Sequence, residues 1–269
     1  MKKLLKATIL LGGAIILSMG IAACGSDEDE NGTATVPTQN FEDDAIVLRD
    51  DAELRITAPQ LASILPNEEI AVMRTNHGNI YIRFFPEQAP LAVESFLGHA
   101  RSGFYDDVIF HRVVEGFMIQ GGCPDGMGTG GTTYFGYAID VEPADNLVHI
   151  RGALSMANTG VRYSTGSQFF IVQCTQPPLV PESRLIRELG EDLARAYIEH
   201  GGRRTYHLDG RHTVFGQVFR GMDVVDAIAN VAVAYSPGQT PGNPNDPPSR
   251  PVADVVILGI DVMLYSELS

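Results

Sequence analysis

The chain has 269 residues and a formal net charge of −14 at pH 7, from 19 Lys and Arg against 33 Asp and Glu. Apolar residues make up 44% and charged residues 19%. That composition fits a globular protein rather than a disordered one, and the acidity excludes a generic nucleic-acid binder, because no basic field exists to attract phosphates.

Lys2, Lys3 and Lys6 open the chain as a basic segment, and an apolar run follows from Ile9 to Ile21. Small residues then lead to a cleavage point, the pattern of a secretory signal peptide over residues 1–23. Ile21-Ala22-Ala23-Cys24 also resembles the bacterial lipobox. That resemblance implies that Cys24 carries acyl chains such as palmitate and becomes the mature N-terminus. The protein is then expected in the cell envelope, lipid-anchored on the extracytoplasmic side of a membrane. No later apolar run is long enough to span a bilayer.

Residues 24–68 read as an acidic tether and N-terminal extension. Residues 25–70 carry twelve acids against two Arg, and Asp27-Glu28-Asp29-Glu30 opens a stretch of Gly, Thr, Pro and Gln. Such a segment cannot bury a core, and 16 flexible residues reach about 20–24 Å. Beyond Phe41, scattered apolar residues such as Leu54, Ile56 and Leu61 suit docking on the following domain.

The domain, read as 69–266, is mostly β. Ile70–Met73 and Ile80–Phe84 flank Asn76-His77-Gly78-Asn79, two strands around a turn, with Ile80, Ile82 and Phe84 on one face. Ala89-Pro90 starts a helix whose Val93, Phe96, Leu97 and Ala100 form one buried stripe, ended by Ser102-Gly103. Short apolar runs follow at Val108–Val113, Phe117–Gln120, His149–Met156, Phe169–Val172 and Thr213–Phe219. Gly221–Ala229 is a second helix, and Val255–Met263 a last strand. Many short strands with two helices predict an all-β fold, a closed barrel whose ends the helices cover. The segment 177–204 departs from this rhythm, with a helical stripe through Leu185, Leu189, Leu193 and Tyr197. Gly190 inside it predicts a kink or two short helices. Either a lid over a substrate or an elaborated loop packed on the barrel fits; the loop is the better fit.

The run Phe110-His111-Arg112-Val113-Val114-Glu115-Gly116-Phe117-Met118-Ile119-Gln120-Gly121-Gly122 resembles the signature of cyclophilin-type peptidyl-prolyl isomerases. Gly152–Asn158, Gly166–Ile171 and Leu208–Gly216 match further blocks in the family's order, and the resemblance spans about Glu69 to Val262. It implies an eight-stranded antiparallel barrel capped by two helices. It also implies rotation about X-Pro bonds, which assists the folding of exported proteins.

That reaction needs no nucleophile, metal or cofactor. It needs a donor aimed at the imide nitrogen, which gains a lone pair when amide resonance breaks, and a water-poor pocket for the proline ring. By resemblance Arg112 is the donor, suited by its permanent charge and rigid fork, and Gln120 holds Arg112 and bonds the substrate backbone. Phe117, Met118, Phe170 and Leu208 form the proline pocket. Ala157, Asn158 and Gln168 line the substrate groove, and His212 stands at the pocket edge. His207 occupies a rim position that is Trp in many members and often contacts cyclosporin.

The implied partners are proline-containing polypeptides, with no nucleic acid, and the chain is expected to be a monomer. A non-catalytic proline-peptide or chaperone module on the same fold is the alternative; Arg112, Phe117, Gln120 and Phe170 favour the enzyme. His111 reads as structural. Cys123 and Cys174 read as free thiols, with a disulfide as the alternative in an oxidising compartment.

Overall fold

The computed structural model describes residues 51–268 apart from 176–178, 237–238, 240, 242 and 244–246. The leader, Cys24 and the acidic stretch before Asp51 lie outside the described residues. Among the described residues no helix is long and apolar enough to cross a membrane.

Helix α1 (Asp51–Thr57) and a 3-10 turn (Pro59–Leu61) precede strands β1 (Glu69–Thr75) and β2 (Gly78–Phe84). Helix α2 (Pro90–Arg101) leads to β3 (Arg112–Val114), β4 (Met118–Gly121), β5 (Ala153–Met156) and β6 (Phe169–Val172). Helices α3 (Glu182–Leu189) and α4 (Glu191–His200) follow, then a 3-10 turn (Tyr206–Leu208), β7 (Val214–Arg220) and α5 (Met222–Ala229). A two-residue pair, β8 (Val233–Ala234) and β9 (Arg250–Pro251), precedes β10 (Ile257–Leu264).

Eight strands form one antiparallel sheet in the order β10-β1-β2-β7-β5-β6-β4-β3. The sheet curls until its edges meet. Asp107 N donates to Ile257 O, Ile257 N to Val108 O and Phe110 N to Val255 O, each at 2.9 Å. Joining the edges removes the unpaired backbone groups that an open sheet would expose.

The expected helix stripe faces inward. Val93, Phe96, Leu97 and Ala100 of α2 are buried with Ile80, Ile82 and Phe84 of β2, and α5 adds Val225, Ile228 and Ala229. The Phe96 ring lies 5.4 Å from both Phe169 and Phe215. Each such buried ring contributes about 1.5–3 kcal/mol.

Two expected elements differ in extent. Only Arg112–Val114 of the first run enters the main ladder, because residues 107–110 are used to close the sheet. The run from His149 is regular strand only from Ala153: Gly152 already donates to Val172 O and accepts from Val218 N, each at 2.8 Å, but it sits at φ +85 and Ala153 N turns back to Ile150 O at 3.0 Å. The insertion is two short helices, the second of the two forms expected for it, broken where Gly190 adopts φ +80, a conformation that side chains with a Cβ rarely take.

The insertion packs on the side of the barrel as an elaborated loop. Leu185, Leu193, Ala194, Ala196 and Tyr197 bury against Val148 and Ile150, together with Ala58 of the N-terminal extension. That extension is docked: the Gln60 amide donates to Val148 O (3.0 Å) and Gln217 Oε1 (2.8 Å) and accepts from Val148 N (2.8 Å). Cys123 and Cys174 are buried and unbonded to each other.

Candidate active site

The barrel wall brings the expected residues together by register. Arg112 on β3 stands opposite Gln120 on β4, and Gln120 stands opposite Phe170 on β6. Residues directly opposite in an antiparallel ladder share a face, so the three form a row across the sheet. Their neighbours Ile119 and Ile171 point the other way, into the barrel core. Met118 and Phe170 instead enter a second apolar cluster with Leu208 and Val214. Both faces of β6 are buried, so its run is apolar without alternation, whereas Arg112 on β3 is exposed and Gln120 on β4 is half-buried.

This outer cluster leaves a cavity of about 170 Å3, lined by Arg112, Phe117, Met118, Gln120, Ala157, Asn158, Phe170, Leu208 and His212. Nine of the eleven expected residues thus meet around one cavity. Gln168 lines an adjoining cavity of about 330 Å3 beside Gly128, Gly130 and Gly131, and the two cavities share Gln120, Ala157 and Asn158. His207 lines neither. Its 3-10 turn points Leu208 inward and His207 outward, where Nδ1 lies 2.9 Å from Arg204 O and the exposed ring stacks 6.4 Å from Phe117. His207 thus sits beside Phe117 and outside both cavity linings.

Amide side chains hold the rim in sequence. Arg112 Nη1 donates towards Gln120 Oε1 at 3.4 Å and lies 3.6 Å from Met118 Sδ. Gln120 Nε2 donates to Gln168 Oε1 at 3.1 Å, and Gln168 Nε2 donates to Gly128 O and Gly130 O at 3.1 and 2.9 Å. On the opposite rim Asn158 Nδ2 donates to Arg211 O at 2.9 Å. His212 is half-buried, with its ring edge-on to Phe170 at 5.4 Å and Nδ1 3.1 Å from Met156 O. Burial pulls its pKa down against the opposing pull of that carbonyl, so the imidazole facing the cavity is neutral near pH 7.

Two supports were not assigned from the sequence. Cys123 Sγ accepts from Gly128 N and Gly130 N at 3.2 and 3.3 Å and donates to Asp125 Oδ1 at 2.9 Å. The thiol thereby shapes the glycine loop on which Gln168 rests, and its hydrogen bond is the main cause of a lowered Asp125 pKa. His149 and Asp209 lie behind Phe170, with the His149 ring stacked on it at 5.9 Å and 13°. The signal for Asp209 was its place in the Leu208–Gly216 block; nothing local to His149 pointed to it.

The model of the family described as cyclophilin type peptidyl-prolyl cis-trans isomerase/CLD matches residues 70–262. The chain belongs to that family. It is a peptidyl-prolyl cis-trans isomerase with the cyclophilin fold. A chain of Staphylococcus haemolyticus named for this activity is 41% identical over 210 residues, covering 76% of this cyclophilin and 96% of the relative. One of Staphylococcus aureus strain USA300 is also 41% identical, over 76% of this chain and 97% of its own. The crystal structure of a Cryptosporidium parvum cyclophilin has a TM-score of 0.55 at 26% identity, over 73% of this chain and 98% of that one. A second crystal structure of that protein, in the presence of the dipeptide Ala-Pro, has the same TM-score.

Proposed function

We propose that this cyclophilin rotates X-Pro bonds of exported polypeptides at the cell envelope, held to a membrane by acyl chains on Cys24. The observation that carries the catalytic part is the Arg112–Gln120–Phe170 row, which sets a permanent cation at the rim of an apolar cavity of about 170 Å3. The Ala-Pro dipeptide used with the Cryptosporidium relative supports proline-containing peptides as the substrate class. For the envelope, the support is the order of basic, apolar and small residues ending at Cys24.

The proline ring enters between Phe117, Met118, Phe170 and Leu208. Amide resonance sets a barrier of about 18–20 kcal/mol for peptide bonds in general, and unaided isomerisation takes tens to hundreds of seconds. As the bond twists, the imide nitrogen becomes pyramidal and basic, and an Arg112 N–H donates to it. This contact exists only in the twisted state, so it lowers the barrier rather than merely tightening binding. Gln120 holds the guanidinium and is itself held by Gln168, so little reorganisation remains for the moment of reaction. Asn158 and Ala157 bind the substrate main chain, and neutral His212 closes the pocket without presenting a charge to the ring. A reduction of about 5–7 kcal/mol corresponds to roughly 10⁴–10⁵-fold acceleration.

Arg112→Ala tests this. Losing one preorganised donor to developing charge costs about 2.7–4 kcal/mol, so kcat/KM on a short X-Pro peptide falls at least about a hundredfold. Near-wild-type turnover in the folded variant overturns the mechanism.

A further inference from the structure

Helices α3 and α4 contribute no side chain to the cavity lining, yet one residue of α4 reaches the wall behind it. Tyr197 is fully buried. Its hydroxyl donates to Asp209 Oδ2 at 2.7 Å and accepts from the His149 backbone N–H at 3.1 Å. Burial, and then the Asp209 carboxylate, raises this phenol well above its usual range, so it remains a donor at any working pH.

Asp209 joins three parts of the wall. Its Oδ1 accepts from His149 N at 3.0 Å and faces His149 Nδ1 at 2.7 Å. A carboxylate in that place requires the proton on Nδ1. His149 Nε2 lies 3.0 Å from Ser155 Oγ, and Ser155 pairs with Phe170 between β5 and β6. The His149 ring lies flat behind Phe170 and edge-on to His212 at 6.3 Å. Leu208 immediately precedes Asp209, and Leu208 O accepts from His212 N at 3.2 Å. Three lining residues therefore rest on one buried array that the insertion completes.

We propose that Tyr197 is a positioning residue for the isomerase: acting through Asp209 and His149, its hydroxyl sets the Phe170, Leu208 and His212 wall of the proline pocket. The insertion is a buttress for that wall rather than a lid. The proposal rests on the cavity being the proline site.

The test compares wild type, Tyr197→Phe and Tyr206→Phe by isomerisation kinetics on a short X-Pro peptide, with peptide dissociation followed by NMR titration. Tyr197→Phe keeps the ring in its apolar surroundings and removes only the hydroxyl. The Arg112 donor is untouched, so KM and Kd rise about fivefold or more while kcat stays within about twofold. In a Leu208→Ala background the same substitution adds less than about twofold, because the wall it positions is already cut back. The Tyr206 hydroxyl bonds Glu188 at the surface, and Tyr206→Phe leaves KM unchanged.

An unchanged KM in folded Tyr197→Phe overturns the proposal, as does an equal rise in Tyr206→Phe. Should Tyr197→Phe not fold, Asp209→Asn replaces it; the same rise in KM supports the proposal and an unchanged KM overturns it. Arg112→Ala separates the two levels. If it abolishes activity while Tyr197→Phe keeps a wild-type KM, the positioning role alone fails. If both variants behave as wild type, the site assignment fails with it.

Discussion

Beside Arg112, His111 shows what burial does to a titratable side chain. It is buried, and its Nδ1 has no hydrogen-bond partner among the described residues. Burial, then the positive charges of Arg112 and Arg250, pull its pKa from 6.5 down to about 4, with Asp125 opposing. A folded-state pKa below the unfolded value means that the unfolded chain binds more protons between pH 6.5 and 4. Stability therefore rises with pH across that window and is lost on acidification, by up to about 3 kcal/mol from this residue alone. His212 is shifted in the same direction and adds to the loss. We expect chemical denaturation midpoints to fall from pH 6.5 to 4, and His111→Phe, which cannot take up the proton, to flatten the slope. An equally steep slope in the variant would show that His111 does not carry it.

At the scale of elements, the extension before β1 belongs to the packed body rather than to the tether. Arg83, buried on β2, donates to Glu68 at 2.8 Å, and Gln60 inserts its amide between the Val148 backbone and Gln217. Removing the Gln60 amide leaves buried donors and acceptors without partners, which costs about 2–4 kcal/mol in total. Gln60→Ala should therefore lower urea stability by that amount, and a loss below about 0.5 kcal/mol would mean that water takes over the amide's role. Scattered apolar residues hinted at this docking, but they carry no period. The α2 stripe was legible because 3.6-residue spacing is a local property, whereas the partner of Gln60 lies 88 residues away.

For the whole molecule, the charge is concentrated early: residues 25–70 hold twelve of the 33 acids. Cys24→Ser should prevent lipidation, so the chain either stays unprocessed or leaves the membrane fraction. Mass spectrometry of the mature wild-type N-terminus reads the attachment directly, and an N-terminus without acyl chains overturns the anchor.

The sequence alone determined the class of fold, the order of most elements and nine of the residues around the cavity, because strand alternation, helix stripes and ordered motif blocks are all written in short stretches of chain. For His207, motif position names a place on the chain but not its distance from the cavity; the fold leaves it exposed, stacked on Phe117 and outside both cavity linings. The tertiary structure alone decided that β7 lies between β2 and β5, that residues 107–110 close the sheet, and that Tyr197, Asp209 and His149 meet behind Phe170. Periodicity records which face of an element is buried, but a hydrogen bond between residues 48 positions apart, such as that from His149 N to the Tyr197 hydroxyl, depends on how several elements pack at once, and no local spacing encodes it.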